Sequence, residues 1–193
     1  KSIFFKHRVI FVTNEGNWTS NAEAAIKNQQ IPVSRVSLSD IRDLVPDVDA
    51  FLASGKPAKE KRDLKDHQKE ALNDVHKGFE KSDRGQLIMA CGTGKTFTSL
   101  RIAEDLCPEN GKVLFLVPSI ALLGQTLREW CRFSKKPLMP FGVCSDAKAT
   151  DRPDEMSAED LGFPATTSSK PLCEYAKFLK KNPPPGLTVV FST

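Results

Sequence analysis

Short apolar runs alternate with amphipathic stretches along this chain, the arrangement from which parallel α/β sheets are built. Arg8 to Thr13 (Arg-Val-Ile-Phe-Val-Thr) is rich in β-branched residues and ends at the turn-forming Asn14-Glu15-Gly16-Asn17, so it predicts a buried strand. Ser20 or Asn21 can cap a helix running to about Asn28, with Glu23 as the capping-box partner of Ser20. Ile31 to Val36 predicts a second strand, and Ser39 or Asp40 caps a short helix, Ile41 to Leu44. This β-α-β-α unit is too small to bury a core alone and reads as the closing piece of an α/β domain. Asp40, Asp43, Asp47 and Asp49 read as caps and solvent-facing charge. Pro46 to Pro57, with Gly55, predicts a linker into the charged stretch Lys56 to Lys65.

The second part of the chain repeats the alternation on a larger scale. Leu64, Gln68, Ala71, Leu72, Val75 and Phe79 recur at helical spacing, which predicts an amphipathic helix over Asp63 to Lys81 with a solvated Lys/Glu face. Leu87 to Ala90 is a short apolar strand candidate, and Phe97 to Leu106 is helical until Cys107-Pro108 stops it. Lys112 to Pro118 predicts a buried parallel strand, and Ile120 to Phe133 a helix whose Trp130 and Phe133 belong to the core. A further short strand ends near Val143-Cys144, and Ser145 to Lys170 is polar and reads mostly as loop. Pro171 to Lys181 predicts a helix, stopped by Asn182-Pro-Pro-Pro-Gly186, and Leu187 to Phe191 a last strand. Three segments result: 1–53, the end of one α/β domain; 54–62, a linker; 63–193, the first part of a second α/β domain.

Bulk properties narrow this little. Of 193 residues, 39% are hydrophobic and 27% charged, which is ordinary for a globular protein. A formal net charge of +4 is compatible with nucleic acid without identifying it. Five cysteines, an odd number with no C-x-x-C spacing, indicate reduced thiols in a cytoplasmic protein and neither zinc nor a disulfide framework. No apolar run approaches the roughly twenty residues that span a bilayer. The start at Lys1, without methionine or a signal-peptide layout, and the end directly after a strand suggest a piece of a longer protein.

Chemistry enters at Gln86 to Thr96, Gln-Leu-Ile-Met-Ala-Cys-Gly-Thr-Gly-Lys-Thr. An apolar run, a glycine loop and a helix start are the context of a phosphate-binding loop. Gly92 and Gly94 let successive N–H groups, with that of Thr93, turn toward phosphate oxygens. The helix start behind them adds unpaired donors and the positive end of its dipole. Lys95 would then reach the β- and γ-phosphates, and the Thr96 hydroxyl would ligate magnesium. The strict pattern places glycine where Met89 stands, a relaxation that helicase-type loops often show.

Two further segments choose among phosphate-loop proteins. Asp66-His67-Gln68-x-x-Ala71-Leu72 resembles the adenine-reading glutamine motif of superfamily 2 helicases. An amide has a donor and an acceptor, so Gln68 could pair with both the exocyclic amine and a ring nitrogen of adenine. Val113-Leu-Phe-Leu-Val-Pro-Ser-Ile-Ala-Leu-Leu-Gly-Gln125-Thr126 resembles motif Ia of that superfamily, where the turn after the strand holds a nucleic-acid phosphate. The matching positions are Pro118, Ser119, Leu122 and Gln125. Thr166-Thr167 and Phe191-Ser192-Thr193 fall where motifs Ib and Ic would lie.

Arg128-Glu129-Trp130, Cys144-Ser-Asp146, Leu161-Gly-Phe-Pro-Ala-Thr-Thr167 and Val189-Val-Phe-Ser-Thr193, taken with the loop, resemble the motor of type ISP single-chain restriction–modification enzymes. Arg8 to Trp18, Asn21-Ala22 and Ile31 to Val36 resemble the end of the Mrr-like nuclease domain that precedes that motor. The resemblance implies a partial RecA-like parallel sheet preceded by a restriction-endonuclease-like β-α-β-α piece. It implies ATP and Mg2+ as cofactors, with Gln68, Gly92, Thr93, Gly94, Lys95 and Thr96 holding them. It implies Ser119, Gln125, Thr167 and Thr193 on double-stranded DNA, with further motor, methyltransferase and recognition domains in the same polypeptide. The nuclease hairpin would lie upstream, and nothing here resembles the acidic motif II or an arginine finger. The residues leave open an unwinding helicase of DNA repair or RNA metabolism, and a regulatory ATP-binding module.

Overall fold

In the computed structural model, the described residues are 8–13, 19–26, 29, 31, 33–45, 48–55, 61–144, 165–166, 169–181 and 185–193. Strand β1 (Arg8–Val12), helix α1 (Ser20–Ile26), strand β2 (Val33–Ser37), helix α2 (Leu38–Leu44) and helix α3 (Val48–Ser54) come first. β1 and β2 pair in parallel with Arg8 opposite Val33 and Val12 opposite Ser37, as the β-α-β pattern requires. An ion pair between Arg35 on β2 and Glu23 on α1 fastens the crossover helix to the sheet.

Two local expectations change. Ser37 caps α2, not Ser39 or Asp40: its hydroxyl accepts from the Asp40 N–H at 3.0 Å, and the Asp40 carboxylate accepts from the Ser37 N–H at 2.9 Å. Reciprocal bonding across Ser-x-x-Asp satisfies two donors at once, which Ser39 cannot do. Asp40 is thus a capping residue, and its other oxygen lies 3.9 Å from Arg128. The stretch 46–57 is not all linker either, because α3 occupies its middle. Gly55, at φ +66°, ends that helix by donating its N–H to the Phe51 carbonyl at 2.7 Å, the left-handed stop that a glycine supplies.

The second part comprises α4 (Asp66–Phe79), α5 (Lys95–Leu106), β3 (Lys112–Leu116), α6 (Ile120–Phe133), β4 (Leu138–Val143), β5 (Ala165–Thr166), α7 (Ser169–Lys181) and β6 (Leu187–Ser192). The four strands form one parallel sheet in the order β3-β6-β4-β5, an α/β architecture consistent with a partial RecA-like fold. β6 is central: Leu187, Val189 and Phe191 are buried, and it pairs with β3 (Val113 opposite Val189) and β4 (Phe141 opposite Val190). Pro140 is accommodated within β4 although it has no N–H to give the ladder. The core lies between this sheet and α5 and α6, where Leu100, Leu123, Leu127 and Trp130 meet Val189 and Phe191. Phe115, Trp130 and Phe191 pack as three tilted or edge-on rings, with centroids 5.0–5.8 Å apart. Phe133 meets Phe97 edge-on, so both aromatics of α6 serve packing, as expected.

The apolar run Leu87 to Ala90 does not form a strand. A strand exists only where a neighbouring chain completes its hydrogen bonds, and no described strand lies beside this run. Ile88 is consequently 83% exposed. On β3, Leu114 and Leu116 likewise face away from the core, whereas Val113 and Phe115 pack into it.

Candidate nucleotide loop and nucleic-acid edge

Residues 91–94 turn sharply between the Leu87–Ala90 run and α5, with Gly92 at φ +76° and Gly94 at φ +82°. Gly94 is the N-cap of α5, so the first-turn N–H groups of that helix open toward the loop. Glycine at 94 is required twice: a Cβ there would adopt a left-handed φ and come within 2.5 Å of the Gln68 Nε2. The Lys95 ammonium bends back over the loop and donates to the Ala90 carbonyl at 3.0 Å, with the Met89 carbonyl 3.5 Å away. The Thr93 hydroxyl donates to the same Ala90 carbonyl at 2.7 Å. Lys95 is exposed and its partners are weak neutral acceptors, so a phosphate could replace them with charge-assisted bonds. Thr96, the next residue, is half-buried in the first turn of α5.

Gln68, assigned from the sequence to adenine, sits in α4 at 1% exposure and is bonded on both sides of its amide. Its oxygen accepts from the Lys65 N–H at 3.0 Å and its Nε2 donates to the Thr93 carbonyl at 2.9 Å. His67 Nε2 lies 3.1 Å from the same carbonyl and donates to it in the tautomer protonated there. The motif therefore forms one wall of the phosphate loop, which sequence reasoning missed. A glutamine amide has two N–H groups and two lone pairs, so these two bonds leave one of each unused.

Arg62, beside Gly94, and Arg101, behind it on α5, had not been singled out. The Arg62 guanidinium lies 4.7 Å from the centroid of Phe97 and 5.1 Å from that of Phe133, and 3.6 Å from the Glu129 carboxylate. Arg101 covers Phe97 at 4.7 Å and reaches the Arg62 carbonyl at 3.3 Å. Arg101 and Glu104 occupy the core-facing stripe of α5 together with Phe97 and Leu100, spaced i, i+3, i+4, i+7. Charge inside an apolar stripe is the signal that could have exposed them.

The nucleic-acid candidates stand at strand ends. Ser119 follows β3 and caps α6, its exposed hydroxyl accepting from the Leu122 N–H at 3.3 Å. Gln125 is exposed in the second turn of α6. Thr193 follows β6, and its N–H donates to the Val143 carbonyl at 3.2 Å. Because β3 and β6 are parallel neighbours, Ser119 and Thr193 lie at the same carboxyl edge of the sheet. Thr167 lies outside the described residues. Among the described residues no cluster of three or more His, Cys, Asp or Glu could hold a metal ion.

Comparison with known proteins places this geometry. Residues 1–58 match the model of a restriction endonuclease family of Mrr type. The chain is similar throughout to a solved ATP-dependent type ISP restriction–modification enzyme, LlaBIII bound to DNA. That likeness has a TM-score of 0.84 and 36% identity, over 100% of this chain and 13% of that one. It is similar also to a nuclease-deletion mutant of the type ISP enzyme LlaGI in complex with a DNA substrate mimic. Here the TM-score is 0.55 and the identity 43%, over 68% of this chain and 13% of that one. A probable helicase, A859L, of African swine fever virus (isolate Tick/Malawi/Lil 20-1/1983) is 43% identical over 63 residues, 33% of this chain and 7% of the viral protein. The chain thus spans a small part of the length of each relative it matches. Residues 61–169, more than half of the chain and including the whole phosphate loop, match the family model for the res subunit of type III restriction enzymes, and the chain belongs to that family.

Proposed function

We propose that this chain is the nuclease-adjacent start of the motor of an ATP-dependent DNA translocase in a restriction enzyme, moving on double-stranded DNA. Residues 1–53 end the nuclease-like domain, 54–62 connect, and 63–193 begin the first motor domain. The observation that carries this reading is the Gly92–Lys95 turn opening α5 within a chain that resembles a type ISP enzyme over its full length. The rest of the motor, a methyltransferase and a recognition region would belong to the same cytoplasmic polypeptide. No described helix is long and apolar enough to cross a membrane.

The residues fit a magnesium-bound nucleoside triphosphate. N–H groups of Gly92, Thr93 and Gly94 and the first turn of α5 would cradle the phosphates, with Lys95 exchanging loop carbonyls for the β- and γ-oxygens. The Thr96 hydroxyl is a hard oxygen ligand of the kind magnesium takes, and magnesium would neutralise charge on the γ-phosphate. Gln68 would present its remaining N–H and lone pair to adenine while its first bonds keep Thr93 in place. Ser119, Gln125, Thr167 and Thr193 would receive the DNA backbone along the carboxyl edge of the sheet, contacts that fix register without reading sequence.

Replacement of Lys95 tests the reading. In the complete enzyme, Lys95→Ala should abolish duplex-stimulated ATP hydrolysis and ATP-dependent DNA cleavage while thermal unfolding stays within a few degrees of wild type. Turnover equal to wild type would make the loop a structural turn. The likeness to the viral helicase favours strand separation as a second reading. ATP-dependent displacement of a labelled strand from a blunt duplex would select it over translocation.

A further inference from the structure

Glu104 is 7% exposed on the core-facing stripe of α5. A carboxylate buried without partners is strongly disfavoured, so its place in the core needs a reason. Its Oε1 accepts from the Ser134 hydroxyl at 3.0 Å, the Lys135 N–H at 2.5 Å and the Lys136 N–H at 3.1 Å. Its Oε2 accepts from the Arg101 guanidinium at 2.5 Å. Three of the four donors thus belong to the turn that ends α6 and leads into β4. Near its other end, α5 meets the same helix again: the Trp130 indole N–H donates to the Thr96 carbonyl at 3.2 Å. The helix that begins with Lys95 and Thr96 and the helix that begins behind Ser119 and carries Gln125 are therefore pinned together at two separate points, one through an indole and one through a buried charge.

We propose that Glu104 is a positioning residue for DNA engagement: its carboxylate fixes the angle of α6 against α5 and so holds Ser119 and Gln125 in register with the phosphate loop. The inference rests on the reading above, in which α6 meets a DNA phosphate. Without Glu104, α6 loses the three bonds that its closing turn makes to the carboxylate. Its polar ties to α5 then include the Trp130–Thr96 bond, as a pivot, and the Lys136 ammonium on the Cys107 carbonyl at 3.0 Å, a single flexible contact. Ser119 lies about 16 Å along the helix from Trp130, so a tilt of about 5° displaces it by about 1.4 Å. A hydrogen bond to a phosphate does not survive such a shift unchanged. The phosphate loop, held by Gln68 and by the first turn of α5, stays where it is.

The test is ATP hydrolysis by the complete enzyme, titrated separately with duplex DNA and with ATP. Glu104→Ala should raise the DNA concentration for half-maximal stimulation by roughly 10-fold, a coupling of ordinary size, with the KM for ATP within about 2-fold of wild type. Glu104→Gln keeps an amide oxygen for the 134–136 turn and Ser134→Ala removes one donor of three, so each should give a smaller shift in the same direction. A purely structural role would lower kcat with the folded fraction and leave both half-saturation constants alone. That pattern, or an ATP KM that rises in step with the DNA constant, overturns the proposal. Should Glu104→Ala fail to fold, the other two variants decide: shifts in the DNA constant support the proposal, and unchanged constants in both overturn it. A wild-type enzyme whose ATPase ignores duplex DNA would instead overturn the underlying reading, and this inference with it.

Discussion

At the scale of single residues, Gln68 and Gly94 make one construction. The glutamine amide occupies the space that a side chain at 94 would need, and it holds the Thr93 carbonyl that shapes the loop. Gln68→Ala therefore removes a loop support as well as the proposed base contact. Leaving buried partners unpaired costs about 1–3 kcal/mol, roughly 5- to 150-fold in affinity. Titration with fluorescent ATP and GTP analogues separates the two roles: ATP binding should weaken more than GTP binding, and an equal loss for both would leave Gln68 a support alone. Gly94→Ala should abolish binding of either nucleotide. The turn at Gly92 and Gly94 and the helix start at Lys95 were legible in the sequence because their geometry is set by neighbours a few residues away. The bond between Gln68 and Thr93 was not, because it joins positions 25 apart and depends on how α4 lies against α5. Glu104 was hidden for the same reason, since all its partners but Arg101 among those named are some thirty residues downstream.

At the scale of elements, the join between α5 and the end of α6 depends on an ionised group. Burial pushes the Glu104 carboxyl up, but donors from the Lys136 N–H, Arg101, the Lys135 N–H and Ser134 outweigh it and hold the value below the ordinary 4.5. With the folded-state value below the unfolded one, the carboxylate stabilises the fold fully above pH 4.5, and that contribution fades as the pH falls through the folded value. Thermal unfolding followed from pH 7 to pH 3 should show Glu104→Gln less stable than wild type at neutral pH, with the difference shrinking below pH 4.5. A gap that stays constant across the range would remove the ionised form from the account. Helices were legible at this scale wherever apolar spacing and caps agreed, as over α4 and α6. Errors arose where a local signal had competitors, as Ser37 displaced Ser39 and Asp40 at the start of α2, or where a nonlocal partner decides. Leu87 to Ala90 has the composition of a strand and lacks a neighbour, whereas β4 contains Pro140 and is a strand because β6 and β5 flank it.

At the scale of the molecule, two parallel sheets follow one another along the chain, and α2 of the first packs against α6 of the second. The order of elements made this legible: a β-α-β unit first, then glycine loop, helix, strand and helix. What these 193 residues can do alone follows from what phosphoryl transfer needs. Catalysis there is almost wholly positioning of the attacking water and stabilisation of charge on the γ-phosphate, and an arginine supplied for the latter is worth about 10³–10⁵ in rate. Residues 1–193 offer Lys95, Thr96 and backbone donors, and no stretch of their sequence resembles the acidic motif II or an arginine finger. They should therefore bind nucleotide yet show neither ATP turnover nor DNA cleavage, with or without magnesium. Phosphate release and plasmid nicking by the purified 193-residue chain measure this directly. Turnover that persists through purification and disappears in Lys95→Ala would mean that a carboxylate within this chain positions the water, with Asp146, Asp151 and Asp154 the first to replace, and the assignment of motifs along the chain would have to be redrawn.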